Sequence, residues 1–306
     1  MLLISSTRFQ EHTTPPGHPE RPERAEVFDR IAAAWRERGG RVVEPRPATR
    51  DELLRVHDEA YVASIDALDG RAAMLDPDTF TSPESVEVAR LAAGAAVQAA
   101  EHALDTGETA FALVRPPGHH AERDKAMGFC LFNNVAVAAA AALARGLSRV
   151  AVVDIDVHHG NGTQWMFYDD PRVFYVSTHQ FPFYPGTGAA DETGTGAGRG
   201  FTLNIPLAAG ARDGDYEIAY GEIAGALDRY APQLLLVSAG YDAHADDPLA
   251  SMRVSTDGYA RIVRALRDTA ARVRCPLALV TEGGYDLDAL AACVGASLRV
   301  LEDDRI

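Results

Sequence analysis

Two spacings of apolar residues alternate along the chain. Short runs at 2–5, 110–114, 150–155, 173–177, 201–205, 234–238 and 277–281 are rich in Val, Leu, Ile and Phe, and all but 201–205 are apolar throughout or at every position but one. Continuous apolar runs of this length are expected of parallel strands covered on both faces, where the in–out alternation is lost. Between them, segments 24–38, 83–104, 133–145, 215–230, 256–273 and 287–301 repeat apolar residues at helical intervals. The alternation predicts βαβ units wound into one α/β, predominantly parallel sheet flanked by helices. No low-complexity linker and no internal repeat divides the chain, so residues 1–306 read as a single domain. The alanine-rich stripes at 89–103 and 135–144 read as core-facing helices.

Composition narrows the partners. Hydrophobic residues make up 47%, enough for a sizeable core, and 29 Lys plus Arg against 44 Asp plus Glu give a net charge of −15. Such a balance argues against nucleic acid, whose phosphates are met by clustered basic residues. The three cysteines, Cys130, Cys275 and Cys293, lack CxxC spacing and point to a reducing compartment without a disulfide framework. The N-terminal residues have no basic region followed by a long apolar stretch. The longest apolar run, 135–144, is about half of a bilayer span, so no membrane partner and a cytoplasmic location are expected.

The chemistry is concentrated in segments that follow four of the expected strands. They are Arg115-Pro116-Pro117-Gly118-His119-His120, the stretch Asp154-Ile155-Asp156-Val157-His158-His159-Gly160-Asn161, Ser238-Ala239-Gly240-Tyr241-Asp242, and Glu282-Gly283-Gly284-Tyr285. In open parallel sheets ligands bind beyond the carboxyl ends of the strands. Asp156, His158 and Asp242 supply two carboxylates and one imidazole, a set suited to a catalytic divalent metal with open positions. With Asp156 and His158 placed on a strand, two residues apart, their side chains face one side. An isolated Asp-x-His is better read as a helix-capping aspartate with a turn histidine, because the pattern is short; the company of Asp154, Asn161 and Asp242 favours the metal.

His119 and His120 sit behind two prolines that stiffen the turn. A histidine oriented by Asp154 would stay protonated, while one oriented by the uncharged Asn161 would stay nearer neutrality, dividing electrostatic and base roles. The Tyr285 hydroxyl could donate to an oxyanion. The glycine-rich stretch 194–200 runs into a strand rather than opening a helix, so it is read as a surface loop and not a phosphate loop. His12, His57 and His102 carry no motif.

At these residues the chain closely resembles the histone deacetylase and acetylpolyamine amidohydrolase superfamily, class II deacetylases most of all. The likeness runs nearly end to end, through His18-Pro19-Glu20-Arg21-Pro22-Glu23-Arg24, Arg46-Pro47-Ala48-Thr49, the 115–121 turn, Gly128-Phe129-Cys130-Leu131-Phe132-Asn133-Asn134, the 154–164 stretch, 238–242, Asp247-Pro248-Leu249 and 282–285. The resemblance implies the arginase-deacetylase fold with about eight strands. It implies Zn2+ held by Asp156, His158 and Asp242, with Fe2+ as an alternative for the same ligands. It implies His120 as general base, His119 paired with Asp154, Asn161 as partner of the second ring, and Tyr285 as carbonyl polariser. It further implies a structural K+ on Asp154, Ser177 and main-chain carbonyls. Gly128, Phe129, Tyr184, Leu249 and Gly283 would line the substrate channel.

Departures from the family pattern bear on the substrate. Tyr184 replaces a wall phenylalanine, and Leu249 stands where polyamine-selective relatives carry an acid, favouring an acylated lysine. Gly160 and His244 occupy positions where arginases place ligands for a second metal, so one metal is expected. The expected activity is removal of acetyl or a related acyl group from a lysine-like amine. The rival enzymatic reading is hydrolysis of acetylpolyamines or other small acetylated amines, and the non-enzymatic one is an acyl-lysine binding module. Asp76, Asp78 and Ser85 are expected at the channel rim. The sequence is silent on oligomeric state.

Overall fold

The computed structural model describes residues 1–302. Its strands are β1 (Leu2–Ile4), β2 (Arg41–Val43), β3 (Ala73–Asp76), β4 (Thr79–Thr81), β5 (Ala110–Ala112), β6 (Val150–Asp154), β7 (Val173–Gln180), β8 (Thr202–Leu207), β9 (Leu234–Ala239) and β10 (Leu277–Thr281). Eight of them form one sheet in the order β2-β1-β5-β10-β9-β6-β7-β8, every pair parallel. The remaining two, β3 and β4, make a separate antiparallel hairpin. The about eight parallel strands expected from the sequence are therefore present, with their ends shifted by a residue or so in most and by three at the end of β7.

The helices are α1 (Glu23–Glu37), α2 (Arg50–Leu53), α3 (Glu59–Asp66), α4 (Ser85–Thr106), α5 (Asn134–Ala144), α6 (Asn161–Met166), α7 (Asp213–Tyr230), α8 (Thr256–Val273) and α9 (Leu287–Glu302). Side chains of a strand alternate between faces, and the sheet divides its core accordingly. Leu2, Ile4, Val150, Val152, Leu234 and Leu236 pack with α4 and α5 on one face. Leu3, Ala151, Val153, Leu235 and Val237 pack with α1, α7, α8 and α9 on the other. The alanine stripes are buried, as expected, because small side chains let α4 and α5 lie close together on the sheet. The three cysteines are free and buried. No helix among the described residues is long and apolar enough to cross a membrane.

The strand order places the site. Chain order runs outward from β6 through β7 to β8, then returns to β9 on the other side of β6. Such a reversal opens a crevice beyond the carboxyl ends of the strands. The segments after β5, β6, β9 and β10 all emerge there. Beyond β6 one expectation needs correction: Asp156 and His158 do not lie on a strand, because β6 ends at Asp154. Carboxylates cap the next amides instead, Asp156 N donating to Asp154 Oδ1 (3.1 Å) and His158 N to Asp156 Oδ1 (2.9 Å). The two side chains converge through these turns and not through the period of a strand.

Candidate metal and acid–base centre

The 115–120 turn is fixed from beneath by buried charge. Arg115 is fully buried and donates to both Glu20 oxygens (2.7 and 2.8 Å) and to the carbonyls of Phe9 and His12 (2.6 Å each). Gly118 N and His119 N both donate to Glu282 Oε2, at 2.6 and 3.1 Å. The rings of His119 and His120 then stand 4.0 Å apart between centroids. His119 Nδ1 donates to Asp154 Oδ2 (2.9 Å), and His120 Nδ1 donates to Asn161 Oδ1 (2.8 Å).

These partners set opposite protonation tendencies. Burial pushes the His119 ring down, but the carboxylates of Asp154 and Asp156 outweigh it and hold the ring well above its ordinary value. Burial and the neighbouring charges of His119 and His158 push His120 well below its ordinary value, outweighing the upward pull of the Asp156 carboxylate and the Asn161 hydrogen bond. One ring is thus suited to carry charge and the other to accept a proton.

Asp156, His158 and Asp242 offer ligand atoms within 4.8 Å of one another, all buried. His158 Nδ1 lies 3.0 Å from Asp156 Oδ1 and 3.2 Å from Asp242 Oδ2. Backbone amides hold the other carboxylate oxygens: Gly283 N donates to Asp156 Oδ2 and Val157 N to Asp242 Oδ1, both at 2.8 Å. Burial pushes His158 down, yet the two carboxylates reverse this and raise it to about 10, while burial and Asp156 push Asp242 up to about 7. The field at this point therefore favours positive charge. Two buried carboxylates and one imidazole, aimed at one another and braced by amides, fit a divalent cation. This is the one such group found among the described residues. His244 faces Thr256 Oγ1 at 3.2 Å and adds no ligand to it.

Aromatic rings surround the centre. Phe129 adopts φ 69°, and its ring lies 5.7 Å from Tyr285 and 4.8 Å from His18. A Cβ on Gly128 would come within 2.5 Å of His120 Cδ2, so only glycine lets this loop reach the ring. Tyr184 stands 5.2 Å from His120 and 6.0 Å from His158, with 37% of its surface exposed. Tyr285 is buried, and its hydroxyl has no hydrogen-bond partner among the described residues. Its backbone N–H and that of Asp286 donate to Asp247 Oδ2 (2.6 and 3.2 Å), while Leu249 N donates to Asp247 Oδ1 (3.0 Å). Ser177 is the register partner of Asp154, and its hydroxyl meets His179 Nδ1 at 2.9 Å.

Of the expected rim residues, Asp76 and Asp78 lie on the β3–β4 hairpin, with Asp78 O accepting from His18 Nε2 at 3.0 Å. Ser85 does not reach the rim. It is fully buried at the start of α4, where its hydroxyl accepts from Ser82 N (2.6 Å) and pairs with His12 Nδ1 (2.6 Å). Several supporting residues carried no separate signal in the sequence. Glu282 braces the histidine turn, Phe183 stacks on His158 at 5.5 Å, and Arg24 lies 5.0 Å from the Tyr285 ring while donating to the carbonyls of Glu282 and Gly284. Their motif neighbours were the available clue.

The family model described as the histone deacetylase domain matches residues 18–301. A probable deacetylase of Archaeoglobus fulgidus is 39% identical over 94% of this chain and 81% of its own length. The histone deacetylase-like amidohydrolase of Pseudomonas aeruginosa is 44% identical over 84% of this chain and 68% of its own. The crystal structure of the HDA15 HD domain matches with a TM-score of 0.93 and 36% identity, covering 99% of this chain and 91% of that one.

Proposed function

The chain belongs to the histone deacetylase family and has its arginase-deacetylase fold, and from that premise we propose a zinc-dependent hydrolase of acylated lysine-like amines. The observation that carries the reading is the pair of adjacent imidazoles with unlike partners, set beside Asp156, His158 and Asp242. These three residues would hold the cation, which when bound polarises the acyl carbonyl and acidifies water. His120 donates from Nδ1 to Asn161, so its Nε2 is free to take a proton from the attacking water. His119, held charged against Asp154, stabilises negative charge building nearby. The unpartnered Tyr285 hydroxyl donates to the oxyanion as the carbonyl becomes tetrahedral. Collapse breaks the C–N bond as the protonated histidine returns its proton to the leaving amine, giving carboxylate and free amine.

Phe129 and Tyr184 are the residues we assign as walls flanking an unbranched acylated side chain, with Gly283, close to the Asp156 and Asp242 carboxylates, as the floor. Leu249 adds no charge for a distal ammonium, which supports acyl-lysine over polyamine. The acids Asp76 and Asp78 near Tyr184 favour the polyamine alternative, since they would attract a cationic substrate. Asp154 and Ser177, side by side on β6 and β7, are the side chains we assign to a potassium ion.

Metal analysis with a fluorogenic acetyl-lysine assay and a chelator control tests the hydrolase reading. Turnover that needs no metal overturns it. Comparing acetyl-lysine peptides with N-acetylputrescine and N-acetylspermidine tests the substrate; higher kcat/KM on the polyamines selects the alternative.

A further inference from the structure

The hydrogen bonds of Asn161 settle more than its own orientation. Its Nδ2 donates to Glu122 Oε1 at 2.6 Å, and its Oδ1 accepts from His120 Nδ1 at 2.8 Å. An ionised carboxylate only accepts, so the amide must turn its NH2 towards Glu122 and its oxygen towards His120. The amide oxygen likewise only accepts, so the ring proton of His120 must sit on Nδ1. Nε2 then keeps its lone pair, and it has no hydrogen-bond partner among the described residues. Two longer contacts of Nδ2, to His120 O and Met127 Sδ (3.4 Å each), agree in direction but are weaker acceptors.

Glu122 is itself held in place by a buried histidine for which the sequence offered no role. Glu122 O accepts from His57 Nδ1 (3.0 Å), and His57 Nε2 accepts from Asn133 N (3.0 Å), which fixes the tautomer of His57. Burial lowers His57 to about 4, so it stays neutral and can serve as donor and acceptor together. Glu122 N donates to Lys125 O at 2.9 Å and closes the turn.

We propose that Glu122 is a positioning residue: acting through the Asn161 amide, it selects the tautomer in which His120 presents a proton-accepting Nε2 to the attacking water. This rests on His120 being the base. Without the carboxylate, the amide is free to invert, set its NH2 against Nδ1 and drive the ring proton to Nε2. A ring in that state cannot accept a proton from water.

The test is a set of charge-direction variants. Glu122→Ala should lower kcat about tenfold with KM within about twofold, as expected for losing one hydrogen bond to a charged group. Glu122→Gln, whose side-chain oxygen still accepts, should recover most of that loss. Glu122→Lys places a donor opposite the amide and forces inversion; kcat should fall about 100-fold. Adding Asn161→Asp to Glu122→Lys gives a group that accepts from both neighbours, and should bring kcat back to within about tenfold of the wild type. Ring 15N NMR of the zinc-loaded protein reads the tautomer directly: Nδ1–H on His120 in the wild type and the double variant, Nε2–H in Glu122→Lys. An unchanged tautomer in Glu122→Lys, or no recovery in the double variant, overturns the proposal. Inactive His120→Ala beside fully active Glu122 variants removes Glu122 alone. Full activity in His120→Ala removes the base assignment and the proposal with it.

Discussion

Gly283 offers the most direct test of whether the three-residue centre binds metal. Its N–H donates to Asp156 Oδ2, and it does not adopt a positive φ, so its backbone accepts alanine. The objection to a side chain is steric. A Cβ at this position would fall 2.1 Å from Asp242 Oδ2 and 2.7 Å from Asp156 Oδ2. Carbon and oxygen approach to about 3.3 Å at closest, so the Asp242 carboxylate must retreat by about 1 Å. Metal–ligand distances tolerate only about 0.2 Å. Gly283→Ala should therefore weaken zinc binding by about 10–100-fold, or ~1.4–2.7 kcal/mol, the range seen when ligand-orienting groups are disturbed. Competition between the protein and a chromophoric chelator measures this without any substrate. The urea midpoint of the chelated variant reports any overpacking of the fold separately, for which ~1–3 kcal/mol is usual. Zinc affinity within twofold of the wild type would refute the assignment of Asp156 and Asp242 as ligands.

His120→Ala should lower kcat about 10²–10⁴-fold, the cost of losing a general acid–base group, and near wild-type turnover in steady-state assays would remove it from the mechanism. Tyr285→Phe should reduce kcat far more than it raises KM, because the role proposed for the hydroxyl acts on charge present only in the transition state; a change confined to KM contradicts that role. For Glu52, burial raises the carboxyl, but hydrogen bonds from Arg46 and Thr49 outweigh it and lower it to about 2. Its folded value lies below the unfolded one, so its stabilisation is full above about pH 4.5 and is lost as pH falls towards 2. Urea unfolding of wild type and Glu52→Gln should converge over that window, and a constant difference down to pH 2 would contradict the argument.

The sheet was legible because its strands are apolar on both faces, and the long helices because their period persists for many turns. What escaped was short or exposed. Strand β2 is three residues at the sheet edge with Arg41 in solvent, and α2 is a single turn held by a capping box between Thr49 and Glu52. Neither is long enough to show a period. The metal-ligand candidates were legible as residue types, yet their convergence was attributed to a strand; the Asx turns at Asp154 and Asp156 depend on side-chain hydrogen bonds that no spacing rule encodes. Glu282 and Glu20 were invisible as partners because each acts on a segment more than ninety residues away. Glu282 reaches the histidine turn because the sheet sets β5 beside β10.

That adjacency also explains how so many buried charges coexist. Glu20 lies between Arg24 and Arg115, with contacts of 3.0, 2.7 and 2.8 Å, so its charge is compensated within its own layer. Above it, the carboxylates of Asp154, Asp156, Asp242 and Glu282 meet histidines, backbone amides and the hydroxyls of Tyr175 and Ser238, and among the described residues no arginine side chain hydrogen-bonds to any of these carboxylates. A layer of carboxylates left this way is costly in a low-dielectric interior. Burial accordingly pushes Glu282 and Asp242 each up to about 7. The same deficit favours a divalent cation at the point where Asp156 and Asp242 meet. Beyond Glu20, these arginines bind the backbone: Arg115 ties the histidine turn to the carbonyls of Phe9 and His12 in the N-terminal segment, and Arg24 fixes the carbonyls on either side of Gly283. Arg24 and Arg115 thus neutralise Glu20 and hold loops in place, while the carboxylates around Asp156 and Asp242 are left suited to a cation.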